Sequence, residues 1–371
     1  MAIKRAPLPR ARFAVAMDVI SCEDPSSGLR GVIVVDDTTL GPALGGVRWK
    51  AYPSQAAAAS ECRRLAAGMT LKNAAADLPY GGWKSVIIDD GTAVDRDAVL
   101  RAFGGFVAQL DGAYIPGVDM GTTIDDLAVI GTVAPDVACS SSDPSPWTAL
   151  GTWAAIRSAV RHTDATATLS GVTVAVQGAG HVGASLARLL AQDGADVIVA
   201  DIDADRARQI ADQVGGHAAG TDEILTTTCD VLAPCAVARV ISADNIPALR
   251  CRIVAGAAND LLAEPACAAQ LEQRGTVYVP DFLANAGGVI HIHALRAGWD
   301  EVQLREAVLR IGDRVDRTLD DAASSGLTTL GAAEAIARRR IERARDAQRL
   351  TATRRPLSRL RLTRPRLGAR H

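Results

Sequence analysis

The stretch Val172-Thr173-Val174-Ala175-Val176-Gln177-Gly178-Ala179-Gly180-His181-Val182-Gly183 limits what this chain can fold into more than any other. An apolar, β-branched run ends in glycines spaced G-x-G-x-x-G, and an amphipathic helical pattern follows over 182–190. A second apolar strand, 196–200, ends in Asp201, 23 residues after Gly178. That order describes a strand–turn–helix–strand unit built to hold a dinucleotide. Gly178 makes the turn, Gly180 lets a diphosphate approach the helix N-terminus, and Gly183 lets helix pack on strand. Ala179, His181 and Val182 complete the turn, and Asp201 is placed to accept from a ribose 2′-hydroxyl. A 2′-phosphate would be repelled there, so NAD is expected rather than NADP. A helix over 205–214 and strands at 231–233, 253–255 and 277–279 continue the alternation. Such a pattern predicts a parallel sheet covered on both faces.

The first half reads differently. Residues 12–20 and 29–35 are β-formers around a turn cluster at 22–28, which predicts a hairpin. Leu44-Gly45-Gly46-Val47-Arg48 by itself says only tight turn. Pro53-Ser54 opens a helix with Ser54 as N-cap. Its inward stripe is Ala58, Cys62, Leu65 and Met69, and the next step is Lys72. A strand over 85–88 puts Lys84 at its start. A helix over 95–110, a strand over 113–115 leading to Asp119, and a helix over 122–130 follow. The Ser/Pro-rich segment 140–146 reads as a linker, and helices are expected over 147–162, 301–323 and 332–348. The expected fold class is therefore α/β, with two domains around a cleft. Residues 1–143 form the first, and residues 144–326 form a doubly wound, Rossmann-type second. A helix over 327–348 returns to the first domain, and the basic tail 349–371 is expected to be disordered.

Only Lys4, Lys50, Lys72 and Lys84 are lysines among 40 basic residues. Where arginine supplies the surface charge, two lysines in an apolar, glycine-containing segment point to a need for an amine that can release its proton. Position alone equally fits Lys72 at a helix end and Lys84 at a strand edge. Asp119, just before a helix, equally fits an acid favoured by the helix dipole. The net charge of −2 argues against a general polyanion-binding surface, so nucleic acid is not an expected partner. With 48% hydrophobic but only 4% aromatic residues, the core must be built from Ala, Val, Leu and Ile. Seven cysteines without a C-x-x-C pair read as reduced thiols in a cytoplasmic protein. No apolar run reaches the roughly 18 residues of a membrane span. The basic 5–12 segment is followed by too short an apolar run for a signal peptide. No metal site is expected.

Several segments together resemble the glutamate/leucine/phenylalanine/valine dehydrogenases, closest to the leucine, valine and phenylalanine branch. They include Gly41-Pro42-Ala43-Leu44-Gly45-Gly46-Val47-Arg48, Gly68-Met69-Thr70-Leu71-Lys72-Asn73-Ala74 and Gly81-Gly82-Trp83-Lys84. Asp119-Met120-Gly121-Thr122, Ser145-Pro146-Trp147-Thr148-Ala149, Ala233-Pro234-Cys235-Ala236, Ala255-Gly256-Ala257-Ala258-Asn259 and Asn285-Ala286-Gly287-Gly288-Val289 follow in the same order. The resemblance spans roughly residues 10–345. It implies NAD-dependent, reversible oxidative deamination of an apolar L-amino acid to a 2-oxo acid and ammonia, by a homo-oligomer of two to eight subunits. It implies that Lys72 holds the substrate carboxylate and that Lys84 takes the proton of the water attacking an iminium. Asp119 then exchanges protons with the substrate nitrogen. Gly45 and Gly46 would line the substrate with Met69, Asn259 and Val289, while Thr148 and Asn259 also lie near the nicotinamide. In the glutamate-specific branch a Lys commonly precedes the Gly-Gly pair, and a Ser stands three residues after the Val of the Asn-Ala-Gly-Gly-Val segment. Here these positions are Leu44 and Ile292, so an apolar side-chain pocket is expected. Trp83 and Trp147 are bulkier than the family's pattern, and either narrow the pocket or pack outside it. The alternatives are a glutamate dehydrogenase, or a non-catalytic dinucleotide-binding regulator whose basic tail contacts nucleic acid or a partner.

Overall fold

The computed structural model describes residues 18–91, 95–138, 142–165 and 167–353. Residues 354–371 of the expected tail, 12–17 of the expected first strand and 140–141 of the expected linker lie outside the described residues, whereas residues 349–353, expected to be disordered, continue the last helix.

Eight elements build the first half: β1 (Asp18–Asp24), β2 (Leu29–Asp37), β3 (Ala43–Lys50), α1 (Gln55–Ala75), β4 (Gly81–Ile88), α2 (Arg96–Ala108), β5 (Tyr114–Val118) and α3 (Ile124–Gly131). The predicted hairpin is β1–β2, but β1 runs on to Asp24, so the turn is shorter than the polar cluster. The sheet order is β1-β2-β4-β3-β5. β1, β2 and β4 pair antiparallel, whereas β3 runs parallel to both β4 and β5. α1 lies on one face, where Ala58, Cys62 and Ala66 meet Val32, Val34 and Val86. Small side chains on the helix allow this close approach. α2 and α3 cover the other face with Leu100, Phe103, Leu127 and Ile130.

Three expectations need correction here. The Gly45-Gly46 pair is not a turn but the middle of β3. Its glycines answer a demand for space, since a Cβ on Gly45 would lie 1.7 Å from the Trp83 carbonyl oxygen. Lys84 is not at a strand start but halfway along β4, which sits in the centre of the sheet. The buried face of α1 continues from Cys62 through Ala66, Thr70 and Asn73, stepping by three or four. Leu65, Met69 and Lys72 therefore border the cleft instead of filling the core. Ser54 caps α1 as expected, accepting from the Ala57 N–H at 3.1 Å.

The second half comprises α4 (Ser145–Thr163), β6 (Thr173–Gln177), α5 (His181–Gln192), β7 (Asp196–Ala200), α6 (Ala204–Val214), β8 (His217–Ala218), β9 (Val231–Pro234), β10 (Ile253–Val254), α7 (Ala266–Gln273), β11 (Val277–Tyr278), α8 (Asp281–Ala284), α9 (Gly287–Ala297) and α10 (Glu301–Ser325). Its sheet is parallel throughout, in the order β11-β10-β9-β6-β7-β8. The chain winds outward from β6 in one direction, then from β9 in the other. The crevice beyond the carboxyl ends of β6 and β9 is thus the switch point where such sheets bind ligands.

α11 (Thr329–Thr353) runs back across both halves. The Arg340 guanidinium donates to the Asn73 and Ala74 carbonyls at 3.2 and 3.0 Å, satisfying the C-terminus of α1. Arg345 pairs with Asp37 at 2.8 Å. Among the described residues no helix is long and apolar enough to cross a membrane.

The close β3–β4 approach yields a stability prediction. Gly45→Ala forces backbone apart at the sheet centre and is expected to cost at least the ~1–3 kcal/mol typical of overpacking. Thermal unfolding followed by circular dichroism checks this, and an unchanged midpoint would contradict the role given to Gly45.

Candidate active site

A cavity of about 880 Å³ opens between the two halves. One wall is the α1 side of the first sheet, and strand alternation decides which residues reach it. On β3, Leu44, Gly46 and Arg48 point this way; on β4, Lys84 does. Trp83, one residue earlier, must point to the opposite face. There it is fully buried and stacked on Tyr114 at 5.3 Å between ring centroids. Trp83 thus packs outside the cavity. Trp147 does the same, stacked on His291 at 6.0 Å.

Lys84 and Asp119 meet at the floor of this wall, Nζ to Oδ1 at 3.0 Å. Asp119 follows the end of β5, and its backbone is pinned by Thr122. The Asp119 N–H donates to Thr122 Oγ1 at 3.0 Å, and that hydroxyl donates to the Val47 carbonyl at 2.7 Å. Burial alone would raise the Asp119 carboxyl, but the Lys84 ammonium and the Arg48 guanidinium outweigh it and hold the group below its ordinary value. A Cβ on Gly46 would stand 2.8 Å from the Asp119 Cβ and 3.1 Å from Lys84 Nζ. Glycine therefore keeps open the space directly over the ion pair.

Lys72, at the end of α1, reaches across the cleft and donates to Asn259 Oδ1 at 2.6 Å. Asn259 is held in turn by Asn285 Nδ2 at 3.0 Å. Burial pushes the Lys72 ammonium down to about 8, against the attraction of Asp281 and with the help of Lys84. Of the two lysines singled out in the sequence, one is paired within its own sheet and the other bridges to the opposite wall.

That opposite wall carries Thr148 on α4, Val182 on α5, Asn259, and Val289 and Ile292 on α9. Val289 and Ile292 are three apart on a helix, so they share a face. Leu44 from the other side and Met69 from α1 are among the further apolar residues that line the cavity.

The glycine turn adjoins the cavity through Val182, while Gly178, Ala179, Gly180, His181, Gly183 and Asp201 lie outside its lining. Gly178 has φ +103°, a conformation open to glycine, and a Cβ on Gly183 would lie 1.8 Å from the Gly178 carbonyl oxygen. Gly180 is the N-cap of α5, with no side-chain cap and open space where its Cβ would be. The first-turn N–H groups of α5 are thus free of a side-chain acceptor and fit the diphosphate of a dinucleotide. The His181 side chain turns away to Asp143 at 3.1 Å, leaving its backbone for the turn. Asp201 accepts from the Ala179 N–H at 2.7 Å and lies 3.7 Å from Arg206, so it braces the turn.

Sequence reasoning passed over three polar residues of this site. Asn285 and Arg48 stand inside recognised segments but had been given no task. Asp281, buried against Lys72, accepts from the Leu261 and Phe282 N–H groups at 2.7 and 2.6 Å and so holds the loop after Asn259. Burial raises its carboxyl, opposed by the Leu261 N–H and by Lys72. The available signal was an acid within the otherwise apolar Val279-Pro280-Asp281-Phe282-Leu283.

Comparison with known proteins agrees with this architecture. Residues 13–134 match the Glu/Leu/Phe/Val dehydrogenase dimerisation domain, and residues 200–349 match the Glutamate/Leucine/Phenylalanine/Valine dehydrogenase family. The chain is 39% identical over 337 residues to the leucine dehydrogenase of Bacillus subtilis, covering 89% of this chain and 92% of that one. It is 36% identical over 336 residues to the valine dehydrogenase of Streptomyces coelicolor, covering 88% and 92%. It superposes on the crystal structure of L-tryptophan dehydrogenase from Nostoc punctiforme with a TM-score of 0.79 at 35% identity, covering 89% and 96%. The chain belongs to the glutamate/leucine/phenylalanine/valine dehydrogenase family, on the side of its leucine and valine dehydrogenases.

Proposed function

We propose that this protein is an NAD-dependent dehydrogenase that oxidatively deaminates an apolar L-amino acid, branched-chain or aromatic, to the 2-oxo acid and ammonia, and also runs the reverse reductive amination. The observation that carries this reading is the shared cavity. Two lysines and an aspartate line it together with Leu44, Val289 and Ile292. A dinucleotide-binding regulator has no use for that combination. A glutamate side chain against Leu44 and Ile292 would lose water without gaining a partner, a cost of several kcal/mol. An aliphatic side chain gains about 1.5–3 kcal/mol by burial there.

Each residue has a task in this reading. The Lys72 ammonium holds the substrate carboxylate. The backbone at Gly45 and Gly46 lets Cα come close to the ion pair, and Met69 borders the substrate. The dinucleotide, when bound, supplies the acceptor for the Cα hydride. Lys84 orients the water that attacks the resulting iminium and takes its proton, and Asp119 exchanges a proton with the substrate nitrogen. Thr148 and Asn259 border the nicotinamide. Gly178, Ala179, Gly180, His181, Val182 and Gly183 hold the diphosphate. Asp201 accepts from the ribose 2′-hydroxyl, and its charge favours NAD over NADP. We take residues 1–143, joined by the returning α11, as the substrate domain and 144–326 as the dinucleotide domain, with closure between them expelling water. The dimerisation-domain match supports a homo-oligomer. Free cysteines fit a reducing cytoplasm.

An NADH absorbance assay with a panel of L-amino acids tests the reading directly. Lys84→Ala is expected to lower kcat by at least ~10², the lower range for a proton-transfer group, while NADH still binds. Near-normal turnover would remove Lys84 from the chemistry.

The apolar wall predicts kcat/KM for Leu, Val, Ile or Phe at least ~10² above that for Glu. Leu44→Lys combined with Ile292→Ser should narrow the gap. A preference for glutamate in the unaltered enzyme refutes the pocket argument.

The Lys72 ammonium, brought down to about 8, should lose its proton as pH rises past that value. KM for the 2-oxo acid is then expected to climb above about pH 8. Lys72→Arg, which stays protonated, should abolish the climb. A climb that persists in Lys72→Arg belongs to another group.

A further inference from the structure

Arg48 stands two residues after Gly46 on β3, and its planar guanidinium touches two carboxylates. Its Nε–H donates to Asp119 Oδ2 at 2.7 Å, and its Nη1 pairs with Glu61 of α1. Arg48, Asp119 and Glu61 are 12%, 16% and 20% exposed, so water screens none of them well. The charges alternate along one line: Lys84, Asp119, Arg48, Glu61. Asp119 is gripped at both ends, Oδ1 by Lys84 and Oδ2 by Arg48.

We infer that Arg48 is a positioning residue for the acid/base step: it fixes the rotation of the Asp119 carboxylate and keeps it ionised whatever the protonation state of Lys84. The inference rests on the role proposed above for Asp119. Lys84 handles a proton in the reaction, so its charge is not constant through a cycle. Arginine never deprotonates at working pH, and its rigid fork bridges two carboxylates where lysine would offer a single point charge. Glu61 completes the device by holding the guanidinium from behind, with Lys50 Nζ 3.7 Å from its other oxygen. The other groups facing Asp119 are Lys72 from α1 and the Tyr114 phenol from β5, and the Cys62 thiol of α1 lies near Lys84 and Arg48. None of these supplies a permanent positive charge. The depressed Asp119 carboxyl fits the arrangement.

The test compares the full-length enzyme with Arg48→Gln, Arg48→Lys and the double variant Arg48→Gln/Glu61→Gln. The double variant leaves no buried, uncompensated Glu61 and guards against simple misfolding. Two readouts are used. Isotope-edited infrared titration follows the Asp119 carboxylate, assigned by its loss in Asp119→Asn, and needs no activity. The pH profile of kcat/KM is measured alongside it. Removing Arg48 is expected to raise the Asp119 titration by at least ~1 pH unit in both Gln variants, the lower range for loss of an adjacent opposite charge. Arg48→Lys should fall between these and the unaltered enzyme, and the acid limb of kcat/KM should move with the titration. A purely structural strut would lower the melting temperature and leave both positions unchanged, which overturns the inference. An unmoved acid limb with a shifted titration also overturns it, because Asp119 is then not the group that limits the reaction. If no amino acid is turned over, the proposed function fails, and the infrared titration alone still decides whether Arg48 controls the Asp119 charge.

Discussion

The buried ion pair between Lys84 and Asp119 is the constraint from which the rest of this structure can be argued. Two opposite charges set into a sheet wall need close geometry and further hydrogen bonds to offset the loss of water. The parallel trio β4, β3 and β5 supplies that geometry. Val47 of β3 pairs with Ser85 on one side and Val118 on the other, so Lys84 and Asp119 fall on either flank of Gly46. No other residue fits between them without pushing on one or the other. Arg48 and Thr122 then hold the aspartate, and the alanine-rich face of α1 lets the helix lie close enough for Glu61 to reach Arg48.

The second wall is held by a different kind of interaction. Lys72 crosses the cleft to Asn259, which depends on Asn285, and Asp281 ties down the loop between them. Arg64 pairs with Asp260 across the same gap. Asp260 has φ +59°, unusual for a residue with a side chain, and it lies next to Asn259. Farther from the ion pair, Arg296 grips Asp136 with two bonds of 2.6 Å, and Tyr80 meets His293 at 3.0 Å. Polar pairs thus join the two halves at the cleft, beside an apolar cluster to which both halves contribute. α11 and its arginines bind the halves together elsewhere.

Much of this was legible in the chain. The glycine turn after β6 and the acid after β7 are local features, and they fold as local chemistry requires. The spacing of apolar residues gave the alternation of the second half, because strand and helix periods differ enough to be told apart. The first half was harder. β3 carries two glycines in its middle and looks like a turn, since glycine has no side chain to show a period. The burial face of α1 could not be followed beyond Cys62, because Ala66, Leu65 and Met69 are all apolar and only packing distinguishes core from cleft.

The sequence by itself determined the parallel dinucleotide-binding sheet, the scarcity of lysine, and the apolar identity of positions 44 and 292. Each is a matter of residue type and short-range spacing. Tertiary structure alone decided that Trp83 leaves the cavity while Lys84 enters it, because the strand's alternation matters only once its two faces have different neighbours. It alone set Leu44 and Ile292 in the lining of one cavity, and joined Lys72 to Asn259 and Arg48 to Asp119 and Glu61. Those contacts span segments far apart in the chain, and no local pattern encodes which distant backbones will pack together.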